Sequence, residues 1–385
     1  MTCAHMSTGQ TRDAVRKEYD MEIPKKMKAV VLHAPHDARL EIVDVPELEV
    51  GDVLLKVEAC GICAADAKAY AGGKLFWGED TTWSVPTAGG HEIVGTIVKM
   101  APGANDRETY GVADGDLAVG DRVAVEQIVP CGKCRYCRNG HYSHCVKHYV
   151  FGQHTDLWGG FAEYVKLPRE ALLYKIPKKL PVERAVVIEP FSCSMNAIRR
   201  AQIQSGDIVV ISGAGCLGLG MLSIASTLKP KHLIALDLND KRLGQAKSFG
   251  ADITINPGKE DVYARIGELT EGYGCDVYIE ATGYPSSVIQ GLKLMRKGGN
   301  YVEFSLFMDE TTVNWSVVGD EKELNIYGVS LSPRCYPEVI EGIASGKFKT
   351  EGVVTHQFAL DDFQEALDTS CSGANSIKVA FVNRP

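Results

Sequence analysis

The sequence lacks the features that mark membrane proteins and nucleic-acid-binding proteins. No apolar run approaches the roughly 20 residues that a bilayer-spanning helix needs, and the polar N-terminus lacks the apolar core of a secretory signal. Basic charge is in deficit, because 41 Lys and Arg residues stand against 49 Asp and Glu residues, for a formal net charge of −8. Phosphate backbones bind basic faces. We therefore expect a cytoplasmic enzyme of small molecules, with neither a membrane nor a nucleic-acid partner.

Disulfides are not expected either, although the chain holds twelve cysteines. In a reducing compartment, cysteines in this number indicate metal binding or catalysis. The 385 residues suffice for two or three domains, and residues 1–26 are interpreted as an N-terminal extension. Six scattered cysteines are interpreted as small buried hydrophobic residues: Cys3, Cys193, Cys216, Cys275, Cys335 and Cys371.

The pattern of predicted elements changes near residue 206. Before it, short apolar runs such as 28–32, 53–60 and 93–98 are separated by Gly, Pro and Asp, which predicts a β-rich region. After it, apolar strands over 208–212 and 233–236 alternate with helical patterns over 217–228 and 241–249. Such alternation predicts a parallel sheet covered by helices on both faces.

Four cysteines lie within fifteen residues, at positions 131, 134, 137 and 145. Four thiolates form the closed tetrahedral shell that a structural Zn²⁺ prefers, and such a shell leaves no position for a substrate. The spacing therefore predicts a structural zinc site on Cys131, Cys134, Cys137 and Cys145.

A glycine-rich turn follows the first predicted strand of the second half and opens a helix. In Gly213-Ala-Gly215-Cys216-Leu217-Gly218, the glycines permit a tight turn and close approach of a pyrophosphate to the helix N-terminus. Asp237 ends the next strand, where a carboxylate binds the adenosine ribose hydroxyls and repels a 2′-phosphate, so NAD is favoured over NADP. Arg242 is a candidate contact for the ribose or a phosphate.

A second set of possible metal ligands is spread through the first half: Cys63, His91, Glu92 and Glu189. A thiolate, an imidazole and one or two carboxylates suit an open Zn²⁺ site with room for a substrate. The residues alone leave alternatives open. Cys60 and Cys63 can form a redox pair, His91 can be a core histidine, and either glutamate can be a buried ion-pair partner.

Taken in chain order, these motifs resemble those of the zinc-dependent medium-chain dehydrogenases, from about residue 27 to the C-terminus. The Ile-Glu189-Pro segment and the carboxylate-containing site are most similar to the polyol (sorbitol-type) branch. The resemblance implies an α/β protein with a GroES-like β-rich catalytic domain and a Rossmann domain with a doubly wound parallel sheet. The implied boundaries are 27–191 with 332–385 for the catalytic domain, whose structural zinc lobe is 131–145, and 192–331 for the NAD-binding domain.

The resemblance also implies roles for the site residues. Cys63 and His91 hold a catalytic zinc, with Glu92 and Glu189 as direct or water-mediated ligands, and Asp66 orders the site without binding metal. Two zinc ions per chain and NAD are the implied cofactors, and a homotetramer is expected, with a dimer as the alternative. Phe151 is expected to line the substrate cleft, with core packing as the alternative, and Thr282 to lie beside the nicotinamide.

Two departures from the family pattern bear on the substrate. Ala65 stands where the family usually has a Ser or Thr that passes on the alcohol proton, so the candidates for that task become Glu92, a metal-bound water or Lys68. Leu331 and Ser332 stand about where sorbitol-type enzymes carry an Arg-Tyr pair. We therefore expect oxidation of a secondary hydroxyl of a four-carbon alditol, erythritol or threitol.

Two other interpretations remain open at this point. One is a dehydrogenase of the same family that acts on sorbitol, a simple alcohol, threonine or a thiol adduct of formaldehyde. The other is a binding protein whose four-cysteine lobe is a zinc knuckle, which the acidic charge disfavours.

Overall fold

The computed structural model describes residues 23–78, 81 and 83–383. Cys3 and most of the predicted extension over residues 1–26 therefore lie outside the described residues. The strands are β1 (Lys26–Ala34), β2 (Asp37–Asp44), β3 (Val53–Ile62), β4 (Thr87–Ala88), β5 (Glu92–Met100), β6 (Arg122–Val125), β7 (Ile128–Val129), β8 (Tyr149–Val150), β9 (Tyr164–Leu167), β10 (Leu173–Lys175), β11 (Ile208–Ser212), β12 (His232–Leu236), β13 (Ile253–Ile255), β14 (Cys275–Glu280), β15 (Met295–Glu303), β16 (Asn325–Gly328), β17 (Val354–Phe358) and β18 (Lys378–Val382).

The helices lie mainly in the second half of the chain. They are α1 (Ala64–Tyr70), α2 (Arg135–Arg138), α3 (Val182–Ala185), α4 (Ile188–Ala201), α5 (Cys216–Ser226), α6 (Asp240–Ser248), α7 (Val262–Leu269), α8 (Pro285–Leu294), α9 (Tyr336–Ala344) and α10 (Phe363–Ser372). Helix α6 begins at an Asn239 side chain that accepts hydrogen bonds from two backbone N–H groups of its first turn, the arrangement that gives Asn its preference for this position.

The first half and the C-terminal tail share one sheet. Its order is β10-β6-β5-β3-β18-β17, with β9 also paired to β3, and β18 runs antiparallel to β3. Nearly every side chain of β3 is buried, because the strand lies in the middle of this sheet. A smaller sheet, β2-β1-β4, packs beside it. The last strands of the chain therefore belong to the same sheet as the residues near position 60.

The second half forms a six-stranded parallel sheet in the order β13-β12-β11-β14-β15-β16. Numbered from its own first strand, this is the order 3-2-1-4-5-6 of a doubly wound dinucleotide-binding fold. All five residues of β11 are buried, as expected for a strand with helices on both faces. The predicted α/β fold class is confirmed. In such sheets ligands bind beyond the carboxyl ends of the strands, where the order reverses, here between β11 and β14.

Helix α4 was not predicted from the sequence, which placed Glu189 in a region of short strands. Pro190 stands in the first turn of this helix, a position where the missing N–H costs nothing. The helix packs closely on α5, because Ser194 Oγ donates a hydrogen bond to the Leu217 carbonyl and a Cβ at Gly220 would collide with Ser194. This packing fixes Glu189 at the start of a long, buried element.

Among the described residues, no helix combines the length and the apolar character that crossing a membrane requires.

We predict that Phe381→Ala lowers the free energy of unfolding by about 3–5 kcal/mol, the usual cost of truncating a buried Phe. Phe381 is 1% exposed on β18, and its ring meets the Phe161 ring edge-on at 5.0 Å between centroids. Phe358→Ala on the neighbouring edge strand β17 is the matched control, because Phe358 is only half-buried, and it should cost less than half as much. Equal losses in urea unfolding would contradict the central position of β18.

Candidate active site

The predicted site residues converge on one cleft between the two halves, with a volume of about 600 Å³. It lies beyond the carboxyl ends of the parallel strands, where the fold predicts ligand binding. From the predicted set, the residues that line it are Cys63, Lys68, His91, Glu92, Glu189, Gly215, Cys216, Leu217, Gly218, Arg242 and Thr282.

Three predicted metal ligands meet at the floor of this cleft. The ligand atoms of Cys63, His91 and Glu92 all lie within 4.8 Å of one another. Cys63 immediately precedes α1, whereas His91 and Glu92 stand at the start of β5. Because β5 pairs with β3, Glu92 lies opposite Gly61, two residues before Cys63. Strand pairing therefore brings together residues about thirty positions apart.

Asp66 interacts with both Cys63 and His91. Its Oδ2 accepts a hydrogen bond of 2.9 Å from the Cys63 backbone N–H, and its Oδ1 lies 3.9 Å from His91 Nδ1. Burial lowers the pKa of His91, but the charges of Asp66 and Cys63 outweigh burial and hold that pKa well above its usual value. The buried surroundings of His91 therefore favour positive charge at this point.

Lys378 is a site residue that the sequence analysis missed. It is 5% exposed, and its Nζ lies 2.5 Å from Glu92 Oε1 and 3.2 Å from the Ile62 carbonyl. Burial lowers the pKa of Lys378, but the charges of Glu92, Cys216 and Cys63 together hold that pKa above its usual value, so the amine stays charged. The ion pair occupies one oxygen of Glu92 and leaves Oε2 without a hydrogen-bond partner among the described residues.

Glu189 lines the same cleft but lies outside the group of three ligand atoms within 4.8 Å. Burial raises the pKa of Glu189 to about 7. Its Oε1 accepts a hydrogen bond of 3.4 Å from the Cys193 thiol, one helical turn further on. Cys193 was predicted to be a simple buried hydrophobic residue, and that interpretation is incomplete, since the thiol has polar partners. Cys371 was assigned the same role and is instead exposed.

The donor set fits a zinc ion. Sulfur, imidazole nitrogen and carboxylate oxygen are the ligands that Zn²⁺ takes in proteins. Glu92 Oε2 is buried and lacks a hydrogen-bond partner among the described residues. Buried polar atoms are seldom left unpaired. A cation held by Cys63, His91 and Glu92, with Asp66 behind them, would supply the missing partner and balance the buried negative charge.

The four cysteines of the predicted structural site also converge, in what we call the four-cysteine lobe (residues 131–145). Their sulfurs lie within 4.8 Å of one another, with Cys137 Sγ 4.0 Å from Cys131 Sγ and 3.5 Å from Cys134 Sγ. Four sulfurs at about 2.3 Å from one zinc ion would lie roughly 3.8 Å apart. Hydrogen bonds from backbone N–H groups lower the pKa of Cys134 to about 6, which favours the thiolate that binds metal.

The glycine-rich turn has the geometry that a dinucleotide requires. Gly213 has a φ of 104°, and a Cβ there would collide with the Ala281 carbonyl. A Cβ at Gly218 would collide with the Gly213 carbonyl, whereas a Cβ at Gly215 would enter open space beside the cleft. The free N–H groups at the start of the eleven-residue helix α5 face this space, which suits a pyrophosphate.

The remaining predicted cofactor contacts surround this turn. Asp237 accepts hydrogen bonds of 2.8 Å from the backbone N–H groups of Ala214 and Asn239, so it fixes the turn. Arg242 donates to the carbonyls of Gly373 and Ser376 and thereby joins α6 to the C-terminal tail at the cleft. Thr282 is held by the buried Glu280, which accepts from its backbone N–H at 2.8 Å.

Phe151 does not line the cleft, so that expectation is corrected. Its ring is fully buried in the apolar core of the first half, and its backbone N–H donates to the Gln127 carbonyl. The alternative interpretation, core packing, describes it. The neighbouring polar side chains that line the cleft instead are Gln127, His148 and Gln153, none of which the sequence analysis singled out.

The comparisons with known proteins agree with this architecture. The sequence pattern of the alcohol dehydrogenase GroES-like domain matches residues 49–178, and that of the zinc-binding dehydrogenases matches residues 216–345. The erythritol/L-threitol dehydrogenase of Mycolicibacterium smegmatis is 44% identical over 94% of this chain and 99% of that protein. The sorbitol dehydrogenase of Bacillus subtilis is 33% identical over 92% of this chain and 96% of that protein.

A solved structure of an alcohol dehydrogenase from Escherichia coli, complexed with cofactor NADH, superposes with a TM-score of 0.82. It is 28% identical and covers 94% of this chain and 100% of that one. This chain therefore belongs to the zinc-binding alcohol dehydrogenase family. The predicted family and the predicted class of enzyme, a zinc- and NAD-dependent oxidoreductase, are confirmed.

We predict that Lys378→Met destabilises the fold by about 3–5 kcal/mol, because it breaks a buried ion pair and leaves Glu92 Oε1 without its charged hydrogen-bond partner. The matched control is Lys166→Met. Lys166 Nζ lies 3.9 Å from Glu49 and Asp52 with a third of its side chain exposed, so its loss should cost no more than about 1 kcal/mol. Urea unfolding of the zinc-loaded protein measures both changes. A cost below about 1 kcal/mol for Lys378→Met would show that the pair contributes little.

Proposed function

We propose that this enzyme catalyses the reversible, NAD-dependent oxidation of a secondary hydroxyl of erythritol or threitol to the corresponding ketose. The observation that carries the proposal is the cleft itself. It joins Cys63, His91 and Glu92 to the glycine-rich turn within one cavity, in a chain 44% identical over nearly its full length to an erythritol/L-threitol dehydrogenase. The polar side chains of Gln127, His148 and Gln153 on the cleft wall suit a substrate with several hydroxyls.

Each metal-facing residue has a distinct task in this proposal. Cys63, His91 and Glu92 bind the catalytic zinc, and Glu189 approaches it from α4, directly or through water. When bound, the zinc supplies a Lewis acid that makes a substrate hydroxyl more acidic. Asp66 orients His91 and the Cys63 backbone. Lys378 offsets part of the negative charge of the carboxylates, which would otherwise repel one another.

The proton released from the substrate needs an acceptor other than residue 65, because Ala65 lines the cleft without a polar group. Lys68 also lines the cleft, and burial lowers its pKa. Its Nζ donates a hydrogen bond of 2.8 Å to the Leu306 carbonyl across the cleft, and a charged amine that donates in this way cannot accept a proton. We therefore favour a cleft carboxylate as the first acceptor, with Lys68 as the residue that closes this side of the cleft.

The cofactor binds at the glycine-rich turn, on the opposite side of the cleft from the metal ligands. The N–H groups of Cys216, Leu217 and Gly218 bind the pyrophosphate, and Gly215 leaves room for it. Each carboxylate oxygen of Asp237 accepts one backbone N–H and retains a lone pair for a ribose hydroxyl. Arg242 is placed to contact the ribose or a phosphate, and Thr282 the nicotinamide end.

We also propose a cytoplasmic enzyme, because all eleven cysteines of the described residues are unpaired thiols, as a reducing compartment would keep them. A homotetramer, with a dimer as the alternative, is the proposed assembly. Support comes from strand β16, which forms an open edge of the parallel sheet with Ile326 41% exposed. The domain boundaries at residues 191 and 331 are proposals of the same kind.

We predict that erythritol or threitol exceeds 1-butanol in kcat/KM by roughly 10²-fold or more, because polar groups that bind the extra hydroxyls are left unpaired by a simple alcohol. The assay is NAD reduction at 340 nm with a panel that also contains sorbitol and threonine. Metal analysis of the same preparation should give two zinc ions per chain. Turnover of 1-butanol equal to that of the tetritols would refute the polyol assignment, and a preference for sorbitol or threonine would select another member of the family.

We predict that Asp237→Ala raises kcat/KM with NADP relative to NAD by at least about tenfold, because the carboxylate no longer repels the 2′-phosphate. Asp240→Ala is the matched control. Asp240 is an exposed neighbour whose carboxylate instead binds Asn256 and Lys259, so removal of its charge should leave the ratio near its original value. An unaltered ratio in Asp237→Ala would remove this residue from cofactor selection.

A further inference from the structure

One segment of the chain connects the cleft to the four-cysteine lobe. We call it the 330–334 segment. Ser330 and Leu331 line the cleft, and Arg334 reaches the lobe, where its guanidinium donates to the Gly140 carbonyl. Leu331 and Arg334 have φ angles of 55° and 61°, in the left-handed region that residues other than glycine seldom adopt. The segment keeps this path only because its neighbours hold it.

On the cleft side, the segment is held by hydrogen bonds with the side chains of Asn196 and Gln127. Asn196 Nδ2 donates to the carbonyls of Ser330 and Leu331 at 3.2 and 3.0 Å. Ser332 Oγ donates to Gln127 Oε1 at 2.9 Å. Gln127 Nε2 in turn lies 3.3 Å from the Cys193 sulfur, whose thiol binds Glu189. A continuous chain of hydrogen bonds therefore runs from the 330–334 segment to a proposed metal-facing carboxylate.

On the lobe side, the segment is held by Tyr142. This tyrosine is fully buried, and its hydroxyl accepts a hydrogen bond of 2.9 Å from the Arg334 backbone N–H. The same hydroxyl donates to Glu126 Oε2 at 3.3 Å. Its ring packs on Tyr110, with centroids 4.8 Å apart. Glu126 is adjacent in sequence to Gln127. The hydrogen bonds at the two ends of the segment, through Gln127 and through Tyr142, therefore both lead to residues 126–127.

We propose that Tyr142 is a positioning residue for the substrate cleft, because its hydroxyl holds Arg334 and so fixes the path of the 330–334 segment. The four-cysteine lobe would then set the shape of the cleft in addition to stabilising the fold. The effect on substrate rests on the proposed polyol dehydrogenase function, whereas the contact with Arg334 does not.

The test compares Tyr142→Phe with Tyr174→Phe in the zinc-loaded enzyme. Both variants keep a buried ring and remove one hydroxyl from Glu126, since Tyr174 also donates to Glu126 Oε2, at 2.6 Å. Of the two tyrosines, Tyr142 is the one whose hydroxyl hydrogen-bonds to the 330–334 segment. We expect Tyr142→Phe to raise KM for the tetritol roughly tenfold, the equivalent of one lost hydrogen bond, with kcat and zinc content little changed. Tyr174→Phe should leave KM at its original value.

Hydrogen exchange of peptides that cover the 330–334 segment is the second readout, and it needs no turnover. Tyr142→Phe should speed exchange in this segment, and Tyr174→Phe should not. Equal behaviour of the two variants in both readouts would overturn the proposal. If the wild-type enzyme does not oxidise tetritols, the proposed function fails, but the exchange comparison still decides whether Tyr142 holds the segment.

Ser332→Ala provides an independent variant that leaves the lobe untouched. It removes the hydrogen bond from Ser332 to Gln127 and loosens the segment from its cleft end. We expect a rise in KM for the tetritol in the same direction, with zinc content unchanged. An unchanged KM would show that the path of the segment does not matter to the substrate, even if Tyr142→Phe were too unstable to purify.

Discussion

The site depends on the pairing of the last strand with a strand from the start of the chain. Strand β18 runs antiparallel to β3, with Val379 opposite Ile62 and Phe381 opposite Cys60. This register places Lys378 beside the end of β3, where Cys63 follows, and beside Glu92, which β5 brings to the other side of β3. Three strand ends from distant parts of the chain thus supply a thiol, a carboxylate and an amine to one buried point. A shift of β18 by one residue would turn Lys378 to the opposite face and leave Glu92 uncompensated.

The sequence predicts those parts of the site that are local. The four-cysteine lobe and the glycine-rich turn are each contained within fifteen residues, so spacing alone predicts that their atoms meet, and in the structure they do. The alternation of apolar strands with helices likewise predicts the parallel sheet. Cys63, His91 and Glu92 are further apart, and their residue types alone left alternatives open until the family resemblance joined them; the structure places their ligand atoms within 4.8 Å of one another.

The features that the sequence did not predict depend on contacts between distant residues or have a local pattern that points to a different structure. Lys378 stands 286 positions from Glu92, and a lysine at the start of a five-residue strand is typical of an exposed position. Helix α4 was missed because the short apolar runs before residue 206 indicated strands, yet Pro190 stands in its first turn, where a proline is well tolerated. Phe151 was expected in the cleft by analogy, yet the ring packs into the core and its polar neighbours face the substrate space instead. In each case a tertiary contact decided the outcome.

Strained backbone occurs where the four-cysteine lobe meets the cleft. Of the non-glycine residues with positive φ in the described chain, Tyr110, His148, Leu331 and Arg334 all lie at this junction. Each such residue costs about 1–3 kcal/mol, so four together approach the roughly 5–15 kcal/mol by which a typical domain is stable. A fold tolerates that cost only where packing and hydrogen bonds around the residues compensate it. The buried Tyr142, with its ring on Tyr110 and its hydroxyl on the Arg334 backbone, contacts two of the four directly. The four-cysteine lobe, through Tyr142, therefore contributes contacts that offset part of the strain at the rim of the cleft.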